Sequence, residues 1–264
     1  MALRRLDAEL VRRGLARSRE SARSLVEAGA VELQGSVVTK PDRQVGMDEP
    51  LVVRSSEASN WVSRGSGKLI GALAAFPGLQ VEGRACLDAG ASTGGFTAVL
   101  LERGARRVYS VDVGYGQLAW SLQTDSRVTV MDRVNVRYLT ASQLDEPPEL
   151  VVADLSFISL RTVIPSLVAA AAEGADFLLM VKPQFEVGRE RVGKKGVVRD
   201  PGLRVQAIMA VAEAGQAAGL GCAGITASPL PGPNGNVEYF LWLHAGAAGV
   251  REDDIARAVA EGPR

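Results

Sequence analysis

From residue 66 onward the chain repeats one pattern: a short apolar run, then a longer helix-like stretch. The runs are "ACLDA", "VYSVDV", "ELVVADL", "DFLLMVKP", "GCAGITAS" and "EYFLWLH". Strands buried on both faces read as nearly continuous apolar runs, and their alternation with helices predicts a parallel, doubly wound α/β sheet of Rossmann-like type. In such sheets ligands bind at the carboxyl ends of the strands. The residues that close each run are therefore the ones to examine for chemistry.

The first run leads into "CLDAGASTGGFTAVLLERGARRVYSVDVG". Gly90, Gly94 and Gly95 follow a strand and precede a helix, so the backbone passes close to a ligand and leaves N–H groups free at the helix start. Ser92 and Thr93 lie in the same turn, with Phe96 just beyond. Asp112 closes the next strand, where a carboxylate can accept both ribose hydroxyls of a nucleotide. The spacing "DAGASTGG" is not that of a dinucleotide turn. Asp88 lies on the strand itself, where a carboxylate opposes a pyrophosphate but suits a positively charged sulfonium and amino group. S-adenosylmethionine is thus favoured over a nicotinamide dinucleotide. Asp132 follows the third expected strand; it reads either as an acceptor for an adenine amino group or as a surface turn carboxylate. "GSGK" at 65–68 lacks the upstream glycine and following hydroxyl of a phosphate loop.

The acceptor follows by exclusion. The fourth strand ends in "ADLSFIS" with Asp154 and no prolines, unlike enzymes that methylate base amino groups. Neither Cys86 nor Cys222 sits where a nucleophile for pyrimidine carbon-5 is needed. Oxygen remains, and lysines beside carboxylates can deprotonate a hydroxyl or support its developing charge. Lys182 and Asp154 each directly follow an apolar run, whereas Lys68 and Glu238, taken singly, read more readily as solvated surface charges.

The N-terminal part has a different character. "LRRLDAELVRRG" places Leu3, Leu6, Leu10 and Val11 at helical spacing, and "SRESARSLVEAG" does the same with Ala22, Leu25 and Val26. "AVELQGSVV" predicts a hairpin turning at Gly35, and "EPLVVRS" a further strand. The 264 residues carry 30 basic and 30 acidic groups, so no global field marks a polyanion partner. The helical pair, however, holds Arg4, Arg5, Arg12, Arg13, Arg17, Arg19 and Arg23 against Asp7, Glu9 and Glu20. That concentration reads either as an RNA-phosphate footprint or as solvated helix faces. A second basic stretch after Lys182 carries Arg189, Lys194 and Lys195, long enough to fold over RNA. The Ser/Gly-rich segment "SSEASNWVSRGSGK" separates the two parts. The expected layout is residues 1–58, a linker at 59–65, and residues 66–264.

Two widely separated cysteines, no signal-peptide pattern and no run of about 18 unbroken apolar residues point to a cytoplasmic chain without a membrane span.

Together "RLDAELVRRGLARSRESARSLVEAGAVELQG", "DAGASTGGFT", "VDVGYGQL", "RVNVR", "DLSFISL", "VKPQFEVG" and "GNVEYF" resemble the TlyA family over nearly the whole chain. These are bacterial proteins known both as hemolysins and as ribosomal RNA 2′-O-methyltransferases, related to FtsJ-type enzymes. The resemblance implies an N-terminal RNA-binding module like that of ribosomal protein S-four. It implies a Rossmann-like domain that uses S-adenosylmethionine to methylate the ribose 2′-hydroxyl of cytidine in ribosomal RNA, free or in subunits, with no metal. The family's Lys-Asp-Lys-Glu catalytic set falls on Lys68, Asp154, Lys182 and Glu238. Its linker often carries arginine before Trp-Val, where this chain reads "SNWV". Three rival readings are a membrane-lytic hemolysin, a non-catalytic RNA-binding protein and a small-molecule dehydrogenase. The first lacks a suitable segment, the second is opposed by the complete catalytic set, and the third by Asp88 and the basic helices.

Overall fold

The computed structural model describes residues 3–16, 19–27, 29–47, 49–53, 63–193 and 196–263. The chain divides into two compact units, Met1–Trp61 and Val62–Arg264.

In the first unit, β1 (Arg4–Arg5) leads into α1 (Leu6–Arg12), followed by α2 (Arg19–Glu27), β2 (Val31–Leu33), β3 (Ser36–Val37), β4 (Gln44–Val45) and β5 (Leu51–Val53). Gly35 takes the left-handed conformation expected at the hairpin, with φ of 80°. β2 is the centre of a three-stranded antiparallel sheet with β3 and β5, while β1 pairs with β4. Leu6, Leu10, Ala22, Val26, Val31, Leu33, Val38 and Val45 form its core, with Val11 and Leu25 at the margin. Leu3 lies outside it, exposed, because it precedes the helix and does not share its apolar face.

The second unit begins with α3 (Gly65–Ala75) and runs through β6 (Ala85–Ala89), α4 (Gly95–Glu102), β7 (Arg107–Asp112), α5 (Trp120–Gln123), β8 (Val128–Asp132), β9 (Leu150–Ala153), α6 (Leu160–Ala170), β10 (Asp176–Val181), α7 (Pro183–Glu186), α8 (Pro201–Ala217), β11 (Gly221–Ala227), β12 (Tyr239–His244) and α9 (Glu252–Glu261). The seven strands lie in the order β11-β12-β10-β9-β6-β7-β8. Successive residues of each strand point to opposite faces. Leu87, Tyr109, Val151, Phe177, Leu179 and Leu241 pack with α6, α8 and α9 residues such as Ile164, Leu167, Ile208, Val211 and Ile255. The other face carries Asp88, bonded to Thr97 of α4, and Phe240, stacked on Phe96.

The expected all-parallel sheet is corrected at one place. β12 is antiparallel to both β10 and β11. The eleven residues between β11 and β12 hold no crossover α-helix, so the chain turns back on itself instead of crossing the sheet to re-enter in parallel. The chain leaves β6 toward β7 and β8, then returns on the other side of β6 to start β9. That reversal opens the crevice in which α/β sheets hold ligands.

Candidate functional site

A cavity of about 370 Å³ lies at this switch point, lined by Ser63, Arg64, Gly65, Lys68, Gly90, Ala91, Ser92, Thr93, Gly95, Phe96, Asp154 and Pro231. Its size is within the range of small-molecule sites. Parallel pairing of Ala89 with Ala153 carries the next residues, Gly90 and Asp154, to the same edge. There they nearly touch: a β-carbon on Gly90 would sit 2.6 Å from the Asp154 carbonyl oxygen, and Gly90 has φ of 88°. Only glycine satisfies both the backbone conformation and the approach.

Gly94, at φ of 97°, caps α4, and Gly95 allows α3 to come close. A β-carbon there would meet Ser63 Oγ at 2.2 Å, and Ser66 Oγ donates to the Gly95 carbonyl at 2.9 Å. This contact brings Lys68 to the cavity wall. Ser63, Arg64 and Gly65 fall in the stretch expected as linker, yet they line the cavity; the only local signal was their position at the start of the helix bearing Lys68.

Four cofactor candidates are not in the cavity wall: Asp88, Gly94, Asp112 and Asp132. Asp112 accepts the backbone N–H groups of Ser92 and Gly114 at 2.8 and 2.7 Å, and Asp132 that of Gly116 at 2.8 Å. Both carboxylates thus organise the glycine turns and keep further lone pairs for a ligand. Asp88 is fully buried, with Oδ2 accepting from Thr97 Oγ1 at 2.7 Å and Thr97 in turn bonded to Ser110. Its Oδ1 has no hydrogen-bond partner among the described residues. Burial pushes the Asp88 carboxyl up to about 7, against the stabilising bond from Thr97, and the neighbouring Asp154 and Asp112 add to the rise. The proton is therefore held more tightly in the folded than in the unfolded chain, where the group titrates near 3.8. As pH rises from about 4 to 7, the unfolded state loses its proton first and folding stability falls. Asp88→Asn removes that slope, worth on the order of 4 kcal/mol across the window. Urea denaturation of both proteins at pH 4 and pH 8 measures it; equal slopes would refute the assignment.

The four candidate catalytic residues form two ion pairs. Lys68 Nζ lies 2.5 Å from Glu238 Oε2, with the Glu238 side chain wholly buried. Lys182 Nζ lies 2.5 Å from Asp154 Oδ1. The antiparallel register that matches Val181 with Tyr239 sets Lys182 and Glu238 one step further along adjacent strands. Lys68 and Asp154 line the cavity, while Lys182 and Glu238, each paired with one of them, are not in its lining. Oδ1 of Asp88 and Oε1 of Glu238 are buried with no hydrogen-bond partner among the described residues, while Oδ1 of Asp154 meets the Lys182 ammonium. Unmatched buried acceptors are rare in folded chains, and acidic groups at and behind the ends of neighbouring strands suit a ligand that brings positive charge and donors. A sulfonium nucleoside with a free amino group has that chemistry; a pyrophosphate does not.

The N-terminal arginines are more engaged than a free basic patch. Arg5, Arg19 and Arg23 all reach the buried Asp7 carboxylate, at 3.0, 3.4 and 3.3 Å. Arg12 and Arg13 pair with buried Glu9 at 2.6 and 2.7 Å. These cations hold the Asp7 and Glu9 carboxyls down at about 2. Arg13 also donates to the carbonyls of Gly46, Met47 and Glu49, which makes it a clamp within the unit. Arg4 is exposed. Arg17, Lys194, Lys195 and the "SNWV" segment lie outside the described residues. Arg189 is exposed in the turn after α7. That loop is pinned by Asn236, which sequence reasoning missed: its Oδ1 accepts from Val198 N–H at 3.0 Å and its Nδ2 donates to the Gly196 carbonyl at 2.8 Å. Nothing in "GPNGNVE" distinguished this asparagine from an ordinary turn residue.

The strand order, the glycine turn and the acidic strand ends define a Rossmann-like methyltransferase domain, here preceded by a small α+β unit. Residues 61–245 match the FtsJ-like methyltransferase family and residues 4–50 the S4 domain. The chain belongs to the FtsJ-like methyltransferase family and carries an N-terminal S4 domain. It is 55% identical over 264 residues, covering 98% of each chain, to the 16S/23S rRNA (cytidine-2′-O)-methyltransferase TlyA of Mycobacterium tuberculosis. It is 36% identical to Hemolysin A of Brachyspira hyodysenteriae, over 89% of this chain and 98% of that one. A solved structure from Streptococcus thermophilus, provisionally described as a hemolysin, superposes with a TM-score of 0.78 at 36% identity, over 99% of this chain and 96% of that one. Among the described residues no helix is long and apolar enough to cross a membrane.

Proposed function

We propose that this chain methylates the ribose 2′-hydroxyl of cytidine in ribosomal RNA, using S-adenosylmethionine, in the cytoplasm. The observation that carries the reading is the pair of ion pairs, Lys68–Glu238 and Lys182–Asp154, gathered from four distant parts of the sequence at the cavity beside the glycine turn. When bound, S-adenosylmethionine supplies a methyl group made electrophilic by its sulfonium. Gly90, Ser92, Thr93, Gly95 and Phe96 form the wall that would hold it, with Asp88, Asp112 and Asp132 as the groups that would accept from its amino and hydroxyl groups. Lys182 would face the ribose hydroxyl: its neutral amine would take the proton that the hydroxyl gives up as the oxygen accepts the methyl group, or its ammonium would stabilise the charge building on that oxygen while the proton passes to water. Asp154 holds the Lys182 ammonium, and Glu238 balances the charge of Lys68, so that neither lysine is an uncompensated buried cation.

The S4 domain supplies RNA docking. Three guanidinium groups around one Asp7 carboxylate leave a net positive cluster whose outer edges stay exposed, an arrangement suited to phosphate oxygens. Arg5→Glu or Arg19→Glu is expected to weaken RNA binding by about tenfold or more while leaving S-adenosylmethionine affinity unchanged. The wild-type affinity should drop steeply between 50 and 200 mM salt. Filter binding across a salt series, beside calorimetry with the cofactor, checks both; salt-independent binding would sink this part.

The direct test incubates the full chain with methyl-labelled S-adenosylmethionine and separated ribosomal subunits. The expected product is label on a cytidine ribose, seen as alkali and nuclease resistance of the adjacent bond. Label on a base, or none on either subunit despite cofactor binding, overturns the reading.

A further inference from the structure

The segments following β9 and β10 are laced side chain to side chain. Lys182 Nζ donates to Ser156 Oγ at 3.0 Å. The rings of Phe157 and Phe185 meet with centroids 5.2 Å apart at 50°. The Glu186 carboxylate accepts from Ser159 Oγ at 2.5 Å and from the Leu160 backbone N–H at 2.8 Å. Phe157, between the first and third of these ties, has φ of 64°, a left-handed conformation uncommon for a bulky residue, and its side chain is largely exposed. Glu186 is buried, and burial pushes its carboxyl up. It also receives Arg161, at 3.4 Å. The loop 154–159 is therefore fixed at both ends against the segment that carries Lys182.

The two partners of Lys182 do different work. The Asp154 oxygen is close enough for strong attraction, but the contact is not aligned as a hydrogen bond. One contact alone leaves an ammonium free to turn about that contact, whereas a second acceptor in a different direction fixes its rotation. A hydrogen bond has direction, and among the described residues the one that Lys182 donates goes to Ser156. An ammonium has three donors on a tetrahedral nitrogen; fixing one of them restricts where the others point.

We propose that Ser156 is a positioning residue for Lys182, setting the rotation of its ammonium, and that Glu186 anchors the loop which presents Ser156. The proposal rests on the assignment of Lys182 to the transfer step. Ser156 is exposed, so its hydroxyl can be removed without opening a core cavity.

The test uses the full chain as wild type, Ser156→Ala and Ser156→Thr, with two readouts. In steady-state assays on ribosomal RNA, Ser156→Ala is expected to lower kcat about 10- to 30-fold with the KM for S-adenosylmethionine unchanged, and Ser156→Thr, which keeps the hydroxyl, to restore most of it. Competitive acylation of lysines, read by mass spectrometry, needs no activity: Lys182 should react several-fold faster in Ser156→Ala, with Lys68 as the unchanged internal reference. Unchanged Lys182 reactivity in Ser156→Ala overturns the proposal, as does faster labelling with undiminished kcat, or a loss of kcat that threonine does not rescue. If the wild type transfers no methyl group but Lys182 labelling responds as expected, the contact stands and the methyltransferase reading is what fails.

Discussion

Lys182→Ala is expected to lower the rate of methyl transfer by about 10³-fold or more while leaving S-adenosylmethionine affinity within a few-fold of wild type. General acid–base assistance contributes about 10²- to 10⁴-fold, and loss of a preorganised cation at a developing oxyanion falls in the same range. Lys182 is not part of the cavity wall, so the cofactor loses no contact. The truncation leaves Asp154 without its cation, but that side chain is partly exposed, and water can cover it. The fold should therefore survive with little change in melting temperature. Single-turnover transfer and calorimetry with the cofactor separate the two quantities. A variant that keeps a tenth of its rate would remove Lys182 from the chemistry.

Glu238→Ala should behave differently. The Glu238 carboxylate is fully buried and its partner Lys68 nearly so, and removing one member of such a pair leaves the other as an uncompensated charge, at a cost of about 3–5 kcal/mol. For a unit of this size that lowers the melting temperature by roughly 10 °C. Replacing both members with apolar residues of similar volume, Lys68→Met with Glu238→Leu, should recover much of the stability and none of the activity. Thermal denaturation of the single and double variants, with a transfer assay on each, tests the pair. Equal melting temperatures for wild type and Glu238→Ala would show that water already reaches Lys68.

The contrast between these lysines traces how far the chain could be read before its structure. Lys182 and Asp154 were visible because each ends an apolar run, and a charge at the end of a buried strand has to emerge at the sheet edge. Lys68 and Glu238 read by themselves as surface charges; only the family resemblance singled them out. They lie 170 residues apart, and no local pattern encodes that approach. The arginines of the S4 domain were legible as an excess of charge, but not as partners of Asp7 and Glu9. Net charge counts groups without saying which of them meet.

By itself the sequence determined the elements and their class. Periods of 2 and 3.6 are properties of the local backbone, and glycine at 90, 94 and 95 follows from conformations that other residues reach only with strain. Tertiary structure alone decided which strand runs backward, which carboxylate faces which lysine, and that Ser63 and Arg64 belong to the cavity. Those outcomes depend on distances between residues far apart in the chain, set when the sheet closes and the helices pack on it. Ion pairs and directed hydrogen bonds exist only at those distances.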